Sequence, residues 1–326
     1  MTPRHRLTAS LGAAAAGALL AGSAAADPLR LGHSTWVGYG PFYIAEEMGF
    51  FEEEGVEVTL QIVEDTSSRM TALAAGQLDA VATTMDTMQL YLTEDAPLVY
   101  VFAVDDSTGG DGLVSNADIT SIEELAGHSV AYSSGSVSEF YITYLLQEAG
   151  LSVDDIDHTD MGQADAGAAF VAERVDAAVT WEPWLTRARD TEHGHVLADS
   201  SENPGLIVDI ILAAPDVLEE RLDEFRALYR AWNRAVGYWE ENPDEANAIM
   251  AAGVGGWLDE VDVFAETLEG VRYYDAARNE EFWGTPDAPG AIIDTVGAAL
   301  DIWEANDRLR VEADPMDLIS YDVVGQ

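Results

Sequence analysis

Aromatic, hydroxyl and acidic side chains stand directly after apolar segments that the sequence predicts to be strands. Trp36 and Tyr39 flank glycines after the first predicted strand, and Thr84 and Asp86 follow the third. Aromatic rings in a loop can stack on a planar ligand, enclose a cation or simply cover a sheet edge. A carboxylate about 4 Å from a cation contributes roughly 4 kcal/mol at an effective dielectric of about 20, before desolvation. The pattern favours a ligand that is cationic or rich in N–H groups.

A second set of candidate residues follows two later predicted strands. Ser133, Ser134 and Ser136 precede a helix, where hydroxyls and backbone N–H groups can hold an oxyanion or a polar ligand, or can simply cap the helix. Trp181 and Glu182 follow the next apolar strand of this region. Because ligands of open α/β sheets bind beyond the carboxyl ends of the strands, we expect both sets to line one ligand site.

The charge of the ligand is left open by the remaining candidates. Asp209 lies within an apolar strand, where a carboxylate needs a partner. No arginine follows these strands, and Arg69, on a preceding helix, is the nearest in sequence. We expect a small nitrogen-rich ligand such as a guanidine, an amine, a urea or a pyrimidine precursor. The alternative is an anion-bearing ligand: taurine, an aliphatic sulfonate or nitrate.

Catalysis and cofactor binding are not indicated by the sequence. Asp86 and Glu182 could be imagined as an acid and a base, but no nucleophile motif or cofactor-binding loop accompanies them. His193 and His195 flank a glycine without a third metal ligand nearby. The chain has no cysteine, which excludes disulfides, thiol catalysis and thiolate metal sites. We therefore expect no catalytic residue, no cofactor and no metal ion.

The elements that must position the candidates alternate between strand and helix from Leu29 onward, which predicts an α/β fold. Two stretches, Leu73–Thr83 and Phe170–Thr180, align without a gap at 97 positions apart. Each is typical of a helix end, a tight turn and a short apolar strand that stops at a hydroxyl residue. A segment used twice predicts two similar lobes whose strand ends face each other across a cleft.

The boundaries of the lobes follow from where the strand–helix pattern restarts. We expect residues 27–116 and 204–326 to form the first lobe and residues 117–203 to form the second. The chain would then cross between the lobes twice, near Asp111–Ser115 and near Gly205–Ala213. Paired crossings of this kind would make a hinge.

Residues 1–26 have the composition of a secretory signal peptide. Arg4 and Arg6 precede an apolar run, and Ala24–Ala26 supplies the small residues at which cleavage after Ala26 is expected. The apolar run is shorter than the roughly 20 residues that a membrane span requires. Without an N-terminal cysteine after cleavage, no lipid anchor is expected. These features predict an exported, unanchored, monomeric protein of the periplasm.

The charge of the chain is strongly negative. It carries 60 acidic residues against 15 arginines and no lysine, which gives a formal net charge of −45 at pH 7. The acids occur along the whole chain, including solvent-facing runs such as Glu52–Glu54, so we interpret them mainly as a solvated surface suited to a salty exterior. Nucleic acids and anionic membranes are disfavoured as partners.

Three passages resemble the periplasmic substrate-binding proteins of ABC importers that handle sulfonates, taurine, nitrate and pyrimidine precursors. Gly38–Val58 is similar to that family's first strand-to-helix unit, Ser121–Ala131 to its entry into the second lobe, and Val175–Trp184 to its second cleft edge. The resemblance extends from Leu29 to about Trp303. The three motifs in this order are specific to the family but not to a ligand.

The resemblance implies a type II two-lobe periplasmic binding fold, each lobe a mixed sheet flanked by helices. It also implies a protein that closes on a small molecule and delivers it to a membrane permease with its ATPase on separate chains. The Glu-Pro pair at Glu182 is similar to a feature found across the family, anion binders included. An enzyme, or a sensory binding protein that signals to a membrane receptor, is the different-class alternative.

Overall fold

The computed structural model describes residues 27–325, without the side chain of Trp257. The predicted signal peptide lies outside the described residues. In chain order the strands are β1 (Leu29–His33), β2 (Val58–Ile62), β3 (Ala80–Thr84), β4 (Val99–Ser107), β5 (Asp111–Asn116), β6 (Ser129–Tyr132), β7 (Asp157–Asp160), β8 (Ala177–Trp181), β9 (Gly194–Asp199), β10 (Val208–Ala213), β11 (Val271–Tyr273), β12 (Gly284–Thr285) and β13 (Ala288–Pro289).

The α-helices alternate with these strands in the first two thirds of the chain and follow one another in the last third. They are α1 (Gly40–Glu47), α2 (Phe50–Glu54), α3 (Thr66–Ala74), α4 (Met85–Tyr91), α5 (Val137–Glu148), α6 (Gln163–Val171), α7 (Trp184–Arg189), α8 (Pro215–Glu220), α9 (Leu222–Glu241), α10 (Pro243–Val254), α11 (Val261–Thr267), α12 (Ala276–Trp283) and α13 (Ile292–Ala305). Within the described part of the chain, no helix has the length and apolar character that a membrane crossing would need.

The two main sheets share one strand order, which confirms the predicted pair of similar lobes. Counted from its β2 edge, the first sheet has the order β2-β1-β3-β10-β4-β11. The second sheet has the order β7-β6-β8-β5-β9, so the strands correspond position by position. In each sheet a central strand has parallel neighbours, β1 between β2 and β3 and β6 between β7 and β8. An antiparallel strand, β10 or β5, comes next. Apart from the extra edge strand β11, the second sheet repeats the first.

The repeated sequence forms the same helix–turn–strand unit in both lobes. Leu73 and Phe170 lie near the ends of α3 and α6, and the strands that follow are β3 and β8, whose residues are all buried. The turn requires a left-handed residue: Gly76 has φ 65° and its counterpart Glu173 has φ 57°. Buried strands of this kind read as apolar runs because helices cover both faces of the sheet.

The aspartate of each repeat ties its strand to the neighbouring one. Asp79 accepts a hydrogen bond from the backbone N–H of Arg30 at 2.8 Å, and Asp176 accepts one from that of Ser129 at 2.9 Å. Asp176 also accepts from the Ser129 hydroxyl at 2.7 Å and from the amide of Asn116 at 3.2 Å. The shared Asp-Ala dipeptide is therefore structural, and it lies at the end of the sheet opposite the cleft.

Replacing Asp176 by Ala should lower the free energy of unfolding by about 1–3 kcal/mol, because the N–H and hydroxyl of Ser129 lose their acceptor. Urea denaturation followed by circular dichroism would measure the change. Asp154→Ala, at an exposed position of the same lobe, is the control and should change stability by about 0.5 kcal/mol or less. An equal effect of the two substitutions would contradict the proposed role of Asp176.

The chain crosses between the lobes earlier than the sequence predicts. β5 pairs with β8 and β9, so Asp111–Asn116 belongs to the second sheet and the first crossing lies at residues 108–110. The predicted boundary was between residues 116 and 117. The return crossing runs from β9 to β10, where the Ser107 and Ser200 hydroxyls lie 2.8 Å apart. The two crossings are thus hydrogen-bonded to each other.

A second contact between the lobes lies away from the crossings. Phe140 on α5 of the second lobe is fully buried against Trp303 of α13, with ring centroids 5.6 Å apart. Leu90 of α4 and Ala299 of α13 complete this apolar cluster. Near the cluster the Tyr91 hydroxyl donates to the carbonyl oxygen of Gly135 at 3.1 Å. The lobes therefore touch through packed helices as well as through the cleft.

Candidate ligand-binding cleft

A cavity lies between the two lobes, where the central strands of both sheets end. Its walls come from the residues after β1, from β3, β5, β8 and β10, and from the starts of helices. The lining consists of Ser34, Trp36, Tyr39, Thr66, Arg69, Thr83, Thr84, Thr87, Asp111, Val137, Gln163, Trp181 and Asp209. The cavity volume is about 20 Å³, little more than one water molecule requires, so the lobes are nearly closed on each other.

Two tryptophans, one from each lobe, face each other across the cavity. The ring centroids of Trp36 and Trp181 lie 6.2 Å apart at an interplanar angle of 55°. The Trp36 indole nitrogen lies 3.3 Å from both carboxylate oxygens of Asp105 on β4, which fixes the ring. A Cβ at Gly110 would lie only 2.6 Å from Trp36, so the first crossing needs glycine there.

Tyr39 and Asp209 form the inner wall. The Tyr39 hydroxyl donates a hydrogen bond to the Asp209 carboxylate, and burial together with that charge raises the Tyr39 pKa well above its usual value. Behind them His33 contacts the Ser34 carbonyl through Nδ1 at 2.8 Å and the Tyr43 hydroxyl through Nε2 at 3.1 Å. Burial lowers the pKa of His33 to about 4, so this imidazole is neutral near pH 7.

Asp111 brings a carboxylate from the second lobe to the cavity. Its backbone N–H donates to the Ser107 hydroxyl at 3.1 Å. Burial raises the pKa of Asp111 to about 7. Burial also raises the pKa of Asp209, and the charge of Asp111 adds to that rise. These two carboxyls repel each other unless a proton or a cationic group lies between them.

Arg69 provides a positive charge in the same cavity. Its Nη1 donates to the carbonyl oxygen of Val63 at 2.6 Å and to that of Glu64 at 3.4 Å, while its Nε has no protein acceptor among the described residues. Burial lowers the pKa of Arg69 from its usual value of 12.5. The cavity thus combines a guanidinium with two carboxyl groups.

The structure places five sequence-predicted site residues in the lining and the others outside it. Those in the lining are Trp36, Tyr39, Thr84, Trp181 and Asp209. The serines Ser133 and Ser134 are partly or fully exposed and do not line the cavity. Ser136 caps α5 by accepting from the Ser138 N–H at 3.2 Å, and it accepts at 3.1 Å from the side-chain amide of Gln163, which does line the cavity.

The two acids emphasised by the sequence also lie outside the lining. Asp86 is buried behind it and accepts from the Thr87 hydroxyl at 3.3 Å, while its other oxygen has no partner among the described residues. Glu182 turns away from the cavity. It accepts from the Thr186 backbone N–H at 3.0 Å and pairs with Arg189 at 3.0 Å, so it caps α7. Asp111 and Asp209 are the carboxyls that line the cavity.

Several lining residues were not among the sequence-predicted site residues. The sequence predicts a hinge connection at Asp111, whereas its place beside Trp181 depends on the pairing of β5 with β8. Gln163 begins a helix and gives no signal in sequence. Arg69 is the arginine nearest in sequence to the predicted site, but only the packing of α3 shows that it reaches the cavity. Between residues 27 and 325, no group of three His, Asp or Glu side chains could hold a metal ion.

Comparison with known proteins assigns a family. The family described as NMT1/THI5 like matches residues 36–246, which include most of the cleft and both crossings. This chain belongs to the NMT1/THI5-like family. It is 26% identical over 218 residues to the formylaminopyrimidine-binding protein of Halalkalibacterium halodurans, an alignment that covers 64% of each chain.

Two solved structures that resemble this NMT1/THI5-like chain are periplasmic binding proteins. The periplasmic aliphatic sulphonate binding protein of Escherichia coli superposes with a TM-score of 0.72 at 21% identity, covering 92% of this chain and all of that one. The periplasmic nitrate-binding protein of Synechocystis PCC 6803 gives a TM-score of 0.69 at 15% identity, covering 90% of this chain and 86% of that one. These matches confirm the periplasmic binding protein fold.

Proposed function

We propose that this chain is the solute-binding component of an ABC importer, which captures one small polar molecule between its lobes without changing it chemically. The observation that carries the proposal is the cavity between the lobes, in which Trp36 of one lobe faces Trp181 of the other. A ligand held there would contact both lobes at once and would favour their closed arrangement. The family membership and the binding-protein names of the relatives support this function.

The first candidate ligand is a small nitrogen-rich molecule, such as an amine, a guanidine, a urea or a pyrimidine precursor. Asp111 and Asp209 support it, because buried carboxylates accept hydrogen bonds from N–H groups and their mutual repulsion is relieved by a cation. Trp36 and Trp181 add ring faces on which a cation or a planar group can rest. The relative that binds formylaminopyrimidine is consistent with this class.

A second candidate is taurine or another sulfonate, or nitrate. The observation that favours it is Arg69, a buried guanidinium in the cavity lining, since arginine binds oxyanions through charge-assisted hydrogen bonds. The structural relatives that bind aliphatic sulphonate and nitrate fit this alternative equally well.

The proposal includes a place for the protein in the cell. We infer export through the predicted signal peptide, action in the periplasm as a monomer, and delivery of the ligand to a permease that works with a separate ATPase. Genes for such a permease and ATPase next to this one would distinguish import from a sensory role or from catalysis.

A thermal-shift screen in high salt tests the proposed function. Guanidines, amines, ureas, pyrimidine precursors, taurine, sulfonates and nitrate are each added to the mature protein. We expect at least one compound to raise the melting temperature, because a ligand at about 100 times its dissociation constant adds roughly 2.7 kcal/mol to the folded state. Trp36 and Trp181 should report the same binding by fluorescence, and mass spectrometry should recover the compound unchanged. Absence of binding by every compound, or recovery of a chemically altered ligand, would contradict the proposal.

A further inference from the structure

Two buried donors in the cleft have no acceptor among the described residues. They are Nε of Arg69 and the indole nitrogen of Trp181. These residues are only 3% and 8% exposed and line the same cavity. A buried donor without an acceptor is unfavourable, since it has lost its hydrogen bonds to water. Because one donor belongs to each lobe, an acceptor group placed between them would satisfy both in the closed protein.

Three helices begin at the same cavity. Thr66 opens α3, Val137 opens α5 and Gln163 opens α6, and all three residues line the cavity. Asp65 already caps α3 and Ser136 already caps α5. The N-terminus of α6 has no side-chain cap, so its partial positive charge adds to the charge of Arg69. This part of the cavity suits an anionic group with several acceptor oxygens.

Two strand residues provide acidic groups in the same cavity. Asp111 of β5 and Asp209 of β10 line the cavity from opposite lobes. Within residues 27–325, neither carboxylate has an arginine or histidine nitrogen close enough for an ion pair. Arg69 lowers the pKa of Asp209 by less than burial raises it. A cationic N–H group between the two carboxyls would supply the missing opposite charge.

We propose that the ligand is a small zwitterion. Its anionic group binds Arg69, the Trp181 indole N–H and the N-terminus of α6, and its ammonium or other cationic N–H group binds Asp111 and Asp209. This inference rests on the proposed function and narrows its two ligand classes to compounds that combine both charges in one molecule. Each lobe then contributes a donor and a carboxylate, so closure is needed to satisfy both ends of the ligand.

Isothermal titration calorimetry with matched compounds tests the inference. Taurine, β-alanine and 4-aminobutyrate are each compared with the compound that lacks the amino group and with the compound that lacks the acid group. We expect one zwitterion to bind at least about 10-fold more tightly than either of its truncated forms, because each lost group leaves a buried charge unpaired. Equal binding of a singly charged form would overturn the inference.

The broader screen separates this inference from the proposed function. If the best ligand of that screen carries a single kind of charge or none, the zwitterion is wrong while solute binding stands. If no compound binds in either experiment, solute binding itself is contradicted, and the zwitterion with it.

Substitution of a residue that binds one end of the zwitterion should weaken only the binding of ligands that carry that end. Arg69→Gln should weaken zwitterion binding about 10-fold or more without weakening the amine-only form, and Asp111→Asn should do so without weakening the acid-only form. Arg174→Gln and Asp154→Asn, at exposed positions of the second lobe, are the controls and should bind like the parent protein.

Because Arg69 is buried, the folding of each variant is checked by its melting curve. If Arg69→Gln does not fold, Trp181→Phe removes the second unpaired donor while keeping an aromatic ring, and the same selective loss is expected. Equal losses for zwitterionic, amine-only and acid-only forms in these variants would overturn the assignment of the two ends.

Discussion

Replacing Phe140 by Ala is expected to lower the free energy of unfolding by about 3–5 kcal/mol. The Phe140 side chain is fully buried between the lobes, and its ring packs against Trp303 with centroids 5.6 Å apart. Neighbouring side chains cannot easily move into the space left by the ring, because hydrogen bonds hold α4 and α13 together. The side-chain amide of Gln89 donates to the Val296 carbonyl at 3.1 Å, and the Trp303 indole donates to the Asp86 carbonyl at 3.0 Å.

Equilibrium denaturation in urea at constant salt would measure this loss. Val261→Ala is the matched control, since Val261 is 40% exposed and its truncation leaves no buried cavity. That variant should lie within about 0.5 kcal/mol of the parent. A loss below about 1 kcal/mol for Phe140→Ala would show that the helical contact between the lobes is loose.

The second large effect concerns pH and Asp86. Burial raises the pKa of Asp86 to about 7 in the folded protein, against about 3.8 for the free carboxyl. Well below pH 3.8 the carboxyl of Asp86 is protonated in both the folded and the unfolded state, so it does not change the free energy of unfolding. Between pH 4 and 7 only the unfolded chain loses the proton, so this group lowers the stability of the folded state as pH rises. Its contribution is roughly 4 kcal/mol by pH 8 at most.

Asp86→Asn removes this titration while keeping an acceptor for the Thr87 hydroxyl. We expect the variant to unfold with a free energy several kcal/mol above that of the parent at pH 8, and the difference to shrink toward pH 4.5. Chemical denaturation across that range would measure it, with Asp157→Asn at an exposed position as the control, which should stay within about 0.5 kcal/mol of the parent. A difference for Asp86→Asn that does not change with pH would contradict a buried, high-pKa carboxyl.

The fold could be predicted from sequence because its signals are local. Leu73–Thr83 and Phe170–Thr180 each contain a helix end, a left-handed turn residue and a buried strand, and all three are encoded within eleven residues. The position of the first crossing between the lobes is harder to predict from sequence. Whether Asp111–Asn116 ends one sheet or begins the other depends on hydrogen bonds to β8 and β9, which are distant in sequence.

The cleft could be predicted only where strand ends define it. Trp181 is the last residue of β8, and Trp36 and Tyr39 lie within six residues of the end of β1, so the position of each strand gives the approximate position of the ring. Arg69 lies on a helix, and its reach into the cavity depends on how α3 packs, which no local pattern specifies.

The acidic residues show a second limit on predicting the site from sequence. A carboxylate just before a helix is a common cap, and Glu182 does that for α7 rather than facing the cavity. Sequence position identified acids near the strand ends, but the direction of each side chain decided which of them reach the ligand site.

Lobe closure on a ligand is tested most directly by distances between two spin labels. The chain contains no cysteine, so Ile62→Cys on β2 and Asp157→Cys on β7 can be labelled selectively. Both positions are exposed, and both strands lie at the sheet edges farthest from the crossings, where a hinge rotation moves the labels most. With a saturating amount of the tightest ligand, the distance distribution should shift by several ångströms and become narrower. An unchanged distribution at a concentration that calorimetry shows to be saturating would contradict a protein that works by closing its two lobes on a solute.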